Sequence, residues 1–153
     1  MEFLESLDFN GILSVIGAFI AAFAVAIIIA LVLAVLQIVG EWKAFTKAGA
    51  EGYTALIPMV DIFVMGHFSG ATKSTMIYLL ASTFGSLFNL IPFIGTFIYL
   101  ALLIVVSIRV KHAVAKSFGY DVGMTLLLIF LPFIAWLIIG FGKAQYVGPG
   151  YNE

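Results

Sequence analysis

The sequence contains no cysteine, and this absence excludes a whole class of chemistry. Without thiols the chain forms no disulfide, carries no thiolate nucleophile and offers no thiolate ligand to a metal. Charged residues are scarce as well. They make up 10% of the 153 residues, whereas soluble domains contain about 25%. The formal net charge of −1 provides no basic surface, so we expect no nucleic-acid partner.

Apolar residues, in contrast, are abundant. They make up 63% of the chain, and the mean hydropathy is +1.20. A soluble fold of this length leaves in water roughly a third of the surface that its unfolded chain exposes, and the polar residues are too few to cover that surface. We therefore expect a lipid bilayer to surround most of the chain. Because no polar stretch is long enough to fold separately, residues 1–153 are predicted to form a single membrane domain.

The predicted fold class is all-α, a polytopic membrane helical bundle. Its four predicted transmembrane helices are residues 12–39, 76–90, 94–108 and 124–141. At about 1.5 Å per residue, the first is longer than a hydrocarbon core of about 30 Å. Pro92 and Gly95 divide the second long apolar block into two spans. Pro132 predicts a kink in the last span.

Three further features are predicted outside these spans. Residues 53–68 are apolar but few for a bilayer crossing, and we expect an interfacial or re-entrant segment with a short helix that begins near Pro58. The first helix is predicted to end at Gly49, which suits a left-handed position. The tail, residues 142–153, is rich in Gly, Tyr and Pro, and we expect it to be exposed and weakly ordered.

Basic residues are distributed unequally between the two sides of such a bundle. The loops after the first and third spans contain Lys43, Lys47, Lys73, Arg109, Lys111 and Lys116. The opposite side contains only Lys143. By the positive-inside rule this distribution predicts a multi-pass protein of the cell (plasma or inner) membrane with both termini outside. The cations predicted to contact anionic lipid headgroups are Lys43, Lys47, Arg109, Lys111 and Lys116.

Small residues recur at every fourth position of the first span. This small-residue stripe consists of Ser14, Ala18, Ala22, Ala26, Ala30 and Ala34. Small side chains let another helix backbone approach closely, and in lipid this van der Waals contact drives helix association. We interpret the stripe as a helix-packing interface, although alanine is common enough to recur by chance. The sequence leaves open whether the partner lies in this chain, in another subunit or in a second copy.

Polar side chains of the second span form the other candidate site. Thr83, Ser86 and Asn89 could line a polar intramembrane site near Pro92. Hydrogen bonding between helices, or a position near the membrane interface, is the alternative, and we favour it. No Asp, Glu, Lys or Arg lies in the middle of a predicted span, which argues against ion-coupled transport.

No catalytic constellation is recognisable in the sequence. Asp61 and His67 are six residues apart and therefore point to different faces of a helix, and a metal would need further ligands. Lys73 and Ser74 are adjacent and lack an identifiable oxyanion hole. We therefore predict that the protein is not an enzyme and has neither a cofactor nor a metal site.

Several short motifs stand out along residues 41–148. They are Trp42-Lys43-x-Phe45-x-Lys47-Ala48-Gly49, Tyr53 followed by Leu56-Ile57-Pro58, Ala115-Lys116-Ser117-Phe118-Gly119 with Gly123, Leu131-Pro132-Phe133-Ile134, Gly140-Phe141-Gly142 and Tyr146-Val147-Gly148. Together they resemble an uncharacterised family of small prokaryotic membrane proteins with several spans, although that family often has Tyr-Asn where this chain has Val60-Asp61. Some members are joined to signal-peptidase-like domains. The resemblance implies residence in a membrane and possible partnership, and it transfers no activity.

Two functions from different classes fit these features. The first is a non-enzymatic accessory or scaffold subunit that packs against other membrane helices through the small-residue stripe, in a larger membrane complex. The alternative is a small channel or facilitator for an ion or small solute. Its polar constriction would contain Thr83, Ser86 and Asn89.

Overall fold

A computed structural model of the protein describes residues 9–85 and 94–152. Within these ranges the protein is all-helical, with six α-helices, one 3-10 helix and no strand. The elements are α1 (Phe9–Lys47), the 3-10 helix (Gly52–Leu56), α2 (Val60–Ser69), α3 (Thr72–Phe84), α4 (Ile94–Ser117), α5 (Val122–Phe130) and α6 (Pro132–Phe141). Two of them, α1 and α4, are long and apolar enough to cross a membrane.

The chain divides into two compact units, Met1–Val35 and Leu36–Glu153. The described part of the first unit is the N-terminal portion of α1. Its side chains are almost all exposed, although most are large and apolar. Its sequence favours a helix because alanine recurs throughout it and no proline interrupts it.

The second unit begins with the last turns of α1. As predicted, the helix ends just before Gly49, which has a φ of 78°. The amides of Gly49 and Ala50 donate to the carbonyls of Thr46 (3.1 Å) and Phe45 (2.9 Å) and satisfy the helix end. The short helix that was expected near Pro58 begins at Val60.

Helix α4 is longer than the predicted third span. It continues from Ile94 to Ser117, because no helix breaker precedes Gly119, whose φ is 75°. Arg109, Lys111 and Lys116 therefore lie on the last turns of a helix. Their assignment to a loop is wrong.

The predicted last span, residues 124–141, is not one kinked helix. It consists of α5 and α6, which are separated by Leu131 with φ −136° and ψ 60°. Pro132 has no N–H for the carbonyl four residues before it, and its ring crowds that carbonyl. The amide of Leu131 closes α5 on the carbonyl of Leu127 (2.8 Å), and Pro132 begins the next helix.

Aromatic rings form the centre of the second unit. Phe45 contacts both Trp136 and Phe68 in edge-to-face geometry, with ring centroids 6.1 and 5.5 Å apart. Phe68 in turn contacts Phe118 and Tyr146. This core joins the last turns of α1 to α2, α4 and α6, so the second unit has an interior of its own.

The C-terminal tail is bound to this core, and the expectation of a weakly ordered end is wrong. The Tyr146 hydroxyl donates to the carbonyl of Phe68 (2.7 Å). The amide of Tyr151 donates to the carbonyl of Ser69 (3.0 Å), and the amide of Gly150 donates to Ser117 Oγ (3.0 Å). The tail is not helical, so its backbone amides and the Tyr146 hydroxyl donate hydrogen bonds to other parts of the second unit instead.

Candidate functional site

A cavity of about 230 Å³ lies inside the second unit. The last turns of α1 and all of the helices from α2 to α6 contribute to its wall. The polar side chains that line this polar cavity are Gln37, Glu41, Asp61, Tyr78, Ser107 and Lys111. These side chains come from four helices and face a common space, and the polar cavity is our candidate functional site.

Glu41 is the most buried acid in this cavity. Its side chain is 5% exposed, because the last turns of α1 pack into the core of the second unit. Gln37 lies one turn earlier on the same helix face, and its Nε2 donates to Glu41 Oε1 at 3.0 Å. This hydrogen bond holds one carboxylate oxygen and leaves the charge of the group to be balanced by other helices.

Two charged groups from other helices interact electrostatically with Glu41. Lys111 of α4 attracts it, and Asp61 of α2 repels it. Asp61 is half-buried, and its Oδ1 accepts a hydrogen bond from the amide of Ile62 at 2.7 Å. Fully ionised, the cavity therefore contains two negative charges and one positive charge.

The rest of the wall is mainly apolar. Met65, Val110 and Leu128 line the cavity together with the ring of Trp136. Leu128 and Trp136 are almost completely buried members of the core. An apolar wall strengthens electrostatic interactions, because apolar side chains screen charges less than water does.

A close contact between two helices fixes the position of Glu41. A Cβ atom on Gly140 of α6 would lie 2.5 Å from the carbonyl oxygen of Gly40, and one on Gly40 would lie 2.6 Å from the backbone of Trp136. Only glycine permits this approach of α1 and α6. Since Glu41 directly follows Gly40 in α1, the contact between Gly40 and α6 also positions Glu41 in the wall of the polar cavity.

Lys47 holds the end of α6 on the same side of the unit. Its Nζ donates to the carbonyls of Ile139 (2.8 Å), Gly142 (2.7 Å) and Ala144 (3.0 Å). These carbonyls lie in the last turn of α6 and just after it, where the helix offers no amide partner. We name these three bonds the Lys47 clamp.

The small-residue stripe lies entirely in the first unit. Its members Ser14, Ala18, Ala22, Ala26, Ala30 and Ala34 are all exposed. The Ser14 hydroxyl donates to the carbonyl of Gly11 in its own helix (2.8 Å).

The predicted polar intramembrane site is described only at Thr83. Its side chain is exposed, and Oγ1 donates to the carbonyl of Leu79 in the same helix (2.8 Å). Ser86 and Asn89 lie outside the described residues. Thr83 is absent from the polar cavity, so the structure does not join these two candidate sites.

The basic residues predicted to contact lipid lie in three different environments. Lys43 lies over the ring of Phe141 (5.9 Å), and Lys47 forms the clamp. Arg109 and Lys116 lie over the ring of Tyr151, at 5.6 and 5.7 Å. Lys111 has the third environment, because it lines the polar cavity.

Asp61 and His67 are not brought together. Asp61 lines the polar cavity, whereas His67 is exposed at a separate, mainly apolar depression. Lys73 is exposed and its neighbour Ser74 is buried. In the part of the chain that the structure describes, no group of three or more His, Asp or Glu side chains could hold a metal ion.

The arrangement of Glu41, Asp61 and Lys111 was missed at the sequence level. Glu41 and Lys111 lie near the ends of apolar segments, where a charged residue is ordinarily assigned to the headgroup layer, and Asp61 lies within the short apolar segment 53–68. Gln37 gave a signal: it is polar, inside the apolar run, and four residues before an acid, so both face the same way.

The chain matches a family model. The family of unknown function (DUF5684) matches residues 53–149, which is more than half of the chain. The matched range includes Asp61 and Lys111 but not Glu41, and it begins after the Trp42–Gly49 motif. No curated protein and no solved structure matches the chain.

Proposed function

The chain belongs to the family of unknown function DUF5684, and from that premise we propose that it is a non-enzymatic accessory subunit of a membrane complex. In this proposal the first unit is the docking helix, which packs against a helix of another membrane subunit. The second unit, with its own aromatic core, folds around the polar cavity. The proposal assigns no chemical reaction to either unit.

Exposure of the small-residue stripe is the observation that carries this proposal. None of the most apolar window of α1 is buried within the described structure. In a bilayer an apolar side chain gains little by leaving lipid for another helix, so association depends on close packing. A face of alanines provides that packing because it lets two backbones approach each other.

Composition and helix length support a membrane location, and we propose in addition how each helix is placed in the bilayer. Helices α1 and α4 each cross the bilayer. The α5–α6 pair forms another crossing, residues 76–90 form the fourth, and α2 lies at the interface. Both termini are outside the cell (plasma or inner) membrane, since the basic residues of α4 and the end of α1 then lie inside.

Substitution in the stripe tests the docking helix. Ala26→Leu enlarges a stripe position, whereas Ala24→Leu makes the same change two residues away. On a helix with 3.6 residues per turn these positions point in roughly opposite directions. Both variants add the same apolar group, so insertion into the bilayer is unchanged.

The measurement is the stoichiometry of the complex purified from native membranes in mild detergent. We expect wild type and Ala24→Leu to retain one defined partner subunit, and Ala26→Leu to lose it, because overpacking costs about 1–3 kcal/mol. A wild-type chain that runs alone as a monomer would refute the proposal. A homodimer sensitive to Ala26→Leu would show that a second copy is the partner and would equally exclude an accessory role.

A further inference from the structure

The polar cavity offers more than packing requires. A structural core has no use for a space of about 230 Å³ with acids on its wall, because interiors are close-packed and unbalanced charges are costly there. This cavity is smaller than the usual sites for drug-sized ligands, which start at about 300 Å³. Its occupant is therefore a small molecule.

The charges of the wall indicate the sign of that molecule. Glu41 and Asp61 repel each other, and both line the same space. Lys111 offsets one of the two carboxylates. The other cations on the last turns of α4, Arg109 and Lys116, are engaged with the ring of Tyr151. When both acids are ionised, one negative charge thus remains to be balanced.

The apolar part of the wall indicates the body of the molecule. Met65, Val110 and Leu128 provide a surface on which a bare inorganic ion would gain nothing. An alkyl group placed there is removed from water, while its charged end can reach the carboxylates. Tyr78 and Ser107 add hydroxyl acceptors for the N–H groups of an ammonium.

We propose that the polar cavity is a binding site for a small organic ammonium cation, with its nitrogen between Glu41 and Asp61 and its alkyl group against Met65 and Val110. The cation removes the repulsion between the two acids and completes the charge balance that Lys111 begins. Gln37 holds Glu41 in position through the hydrogen bond to Oε1. This inference uses residues of the second unit and is independent of the docking helix.

Equilibrium dialysis tests the site with the full chain purified in detergent and radiolabelled n-propylammonium as the probe. We expect saturable binding of one cation per chain, with competition by unlabelled n-propylammonium. Sodium at the same ionic strength and propionate, which has the opposite charge, are expected not to compete. Equal competition by sodium would overturn the assignment of an organic cation, and competition by propionate would overturn the assignment of charge.

Matched variants locate the site. Asp61→Asn and Glu41→Gln keep the shape of each side chain and are expected to weaken binding about tenfold or more, as loss of a charge-assisted hydrogen bond does. Asp121→Asn is the control, since Asp121 is exposed and its side chain forms no cap. Ser107→Leu fills the cavity without changing its charge and is expected to abolish binding.

Two results would refute the proposal. The first is the absence of saturable binding to the wild type. This measurement does not depend on the folding of any variant. The second is unchanged affinity in Ser107→Leu together with either carboxylate variant. Helical content and tryptophan fluorescence identify any variant that fails to fold, and the remaining variants then decide the location.

Discussion

The Lys47 clamp allows one prediction to be worked through in detail. Lys47→Met keeps most of the apolar stem of the side chain and removes the ammonium. Three carbonyls then lose their donor, and the C-terminal end of α6 loses a cation that interacts favourably with the helix dipole. The substitution changes the volume of this one side chain only at its end, and it leaves the rest of the core unaltered.

The magnitude follows from the kind of bond that is lost. A hydrogen bond to a charged group contributes about 1.5–3 kcal/mol, and a charge at a helix end contributes about 0.3–1 kcal/mol. The three bonds share one charge, and Lys47 is only half-buried, so water replaces part of what is lost. We therefore expect the free energy of unfolding to fall by roughly 3 kcal/mol.

The assay is equilibrium unfolding of the detergent-purified chain at increasing mole fractions of sodium dodecyl sulfate. Tryptophan fluorescence reports loss of the core, because Trp136 is buried against Phe45 whereas Trp42 is already exposed in the folded chain. Lys143→Met is the matched control because Lys143 is exposed, and such surface substitutions change stability by about 0.5 kcal/mol or less. If Lys47→Met and Lys143→Met unfold at the same midpoint, the clamp does not stabilise the unit and the reasoning is wrong.

Three further predictions concern the second unit and use the same assay. Gly140→Ala should lower the free energy of unfolding by about 1–3 kcal/mol, because its Cβ meets the Gly40 carbonyl. Gly123→Ala, with nothing within 4 Å, should raise it by about 0.5–1 kcal/mol, and the reverse order would exclude a close helix contact. Ser69 Oγ is buried without a hydrogen-bond partner among the described residues, so Ser69→Ala should be neutral or stabilising. Ser117→Ala should cost about 1–3 kcal/mol, because its hydroxyl donates to Ala113 and accepts from Gly150; equal effects of these two substitutions would contradict the bonding. Burial raises the pKa of the Tyr146 phenol above its ordinary value of 10.0. The folded state therefore holds this proton more tightly, and the Tyr146 contribution to stability should be lost as the pH rises above about 10. Tyr146→Phe should reduce that loss, and an unchanged pH profile would refute the assignment.

The end of α1 is the helix end that the sequence predicts well. Gly49 has a positive φ just after this helix, whereas α4 continues past the predicted end at residue 108 to Ser117. The stop at Gly49 is a local decision. A glycine that can adopt positive φ ends a helix whatever packs around it, so a short window of sequence contains the necessary information.

The outcome at Pro132 was harder to predict. Proline within an apolar run is compatible with a kinked helix or with two helices, and the choice depends on which neighbours satisfy the freed carbonyl. That choice is tertiary. The bound tail is a similar case, since the bonds of Tyr146 and Tyr151 reach residues about 80 positions earlier in the chain.

The polar cavity was not predicted because its charges come from three helices. Glu41 and Lys111 lie near the ends of apolar segments in the sequence, and Asp61 was considered as a site residue only together with His67. Only the crossing of α1 and α6 at Gly40 and Gly140 turns Glu41 inward. The small-residue stripe is the opposite case. Its spacing is evident in the sequence, but the described chain leaves that helix face exposed and places no partner on it.

The single residue between α5 and α6 has a consequence for the volume of the cavity. The polar cavity is bordered by Leu128, which precedes Leu131, and by Pro132 and Trp136, which follow it. Each flanking helix is held rigid by its own hydrogen bonds, so any bending of this arm is concentrated in one pair of dihedral angles. The two dihedral angles of Leu131 therefore set the angle between α5 and α6, and with it the separation of Leu128 from Trp136 across the chamber.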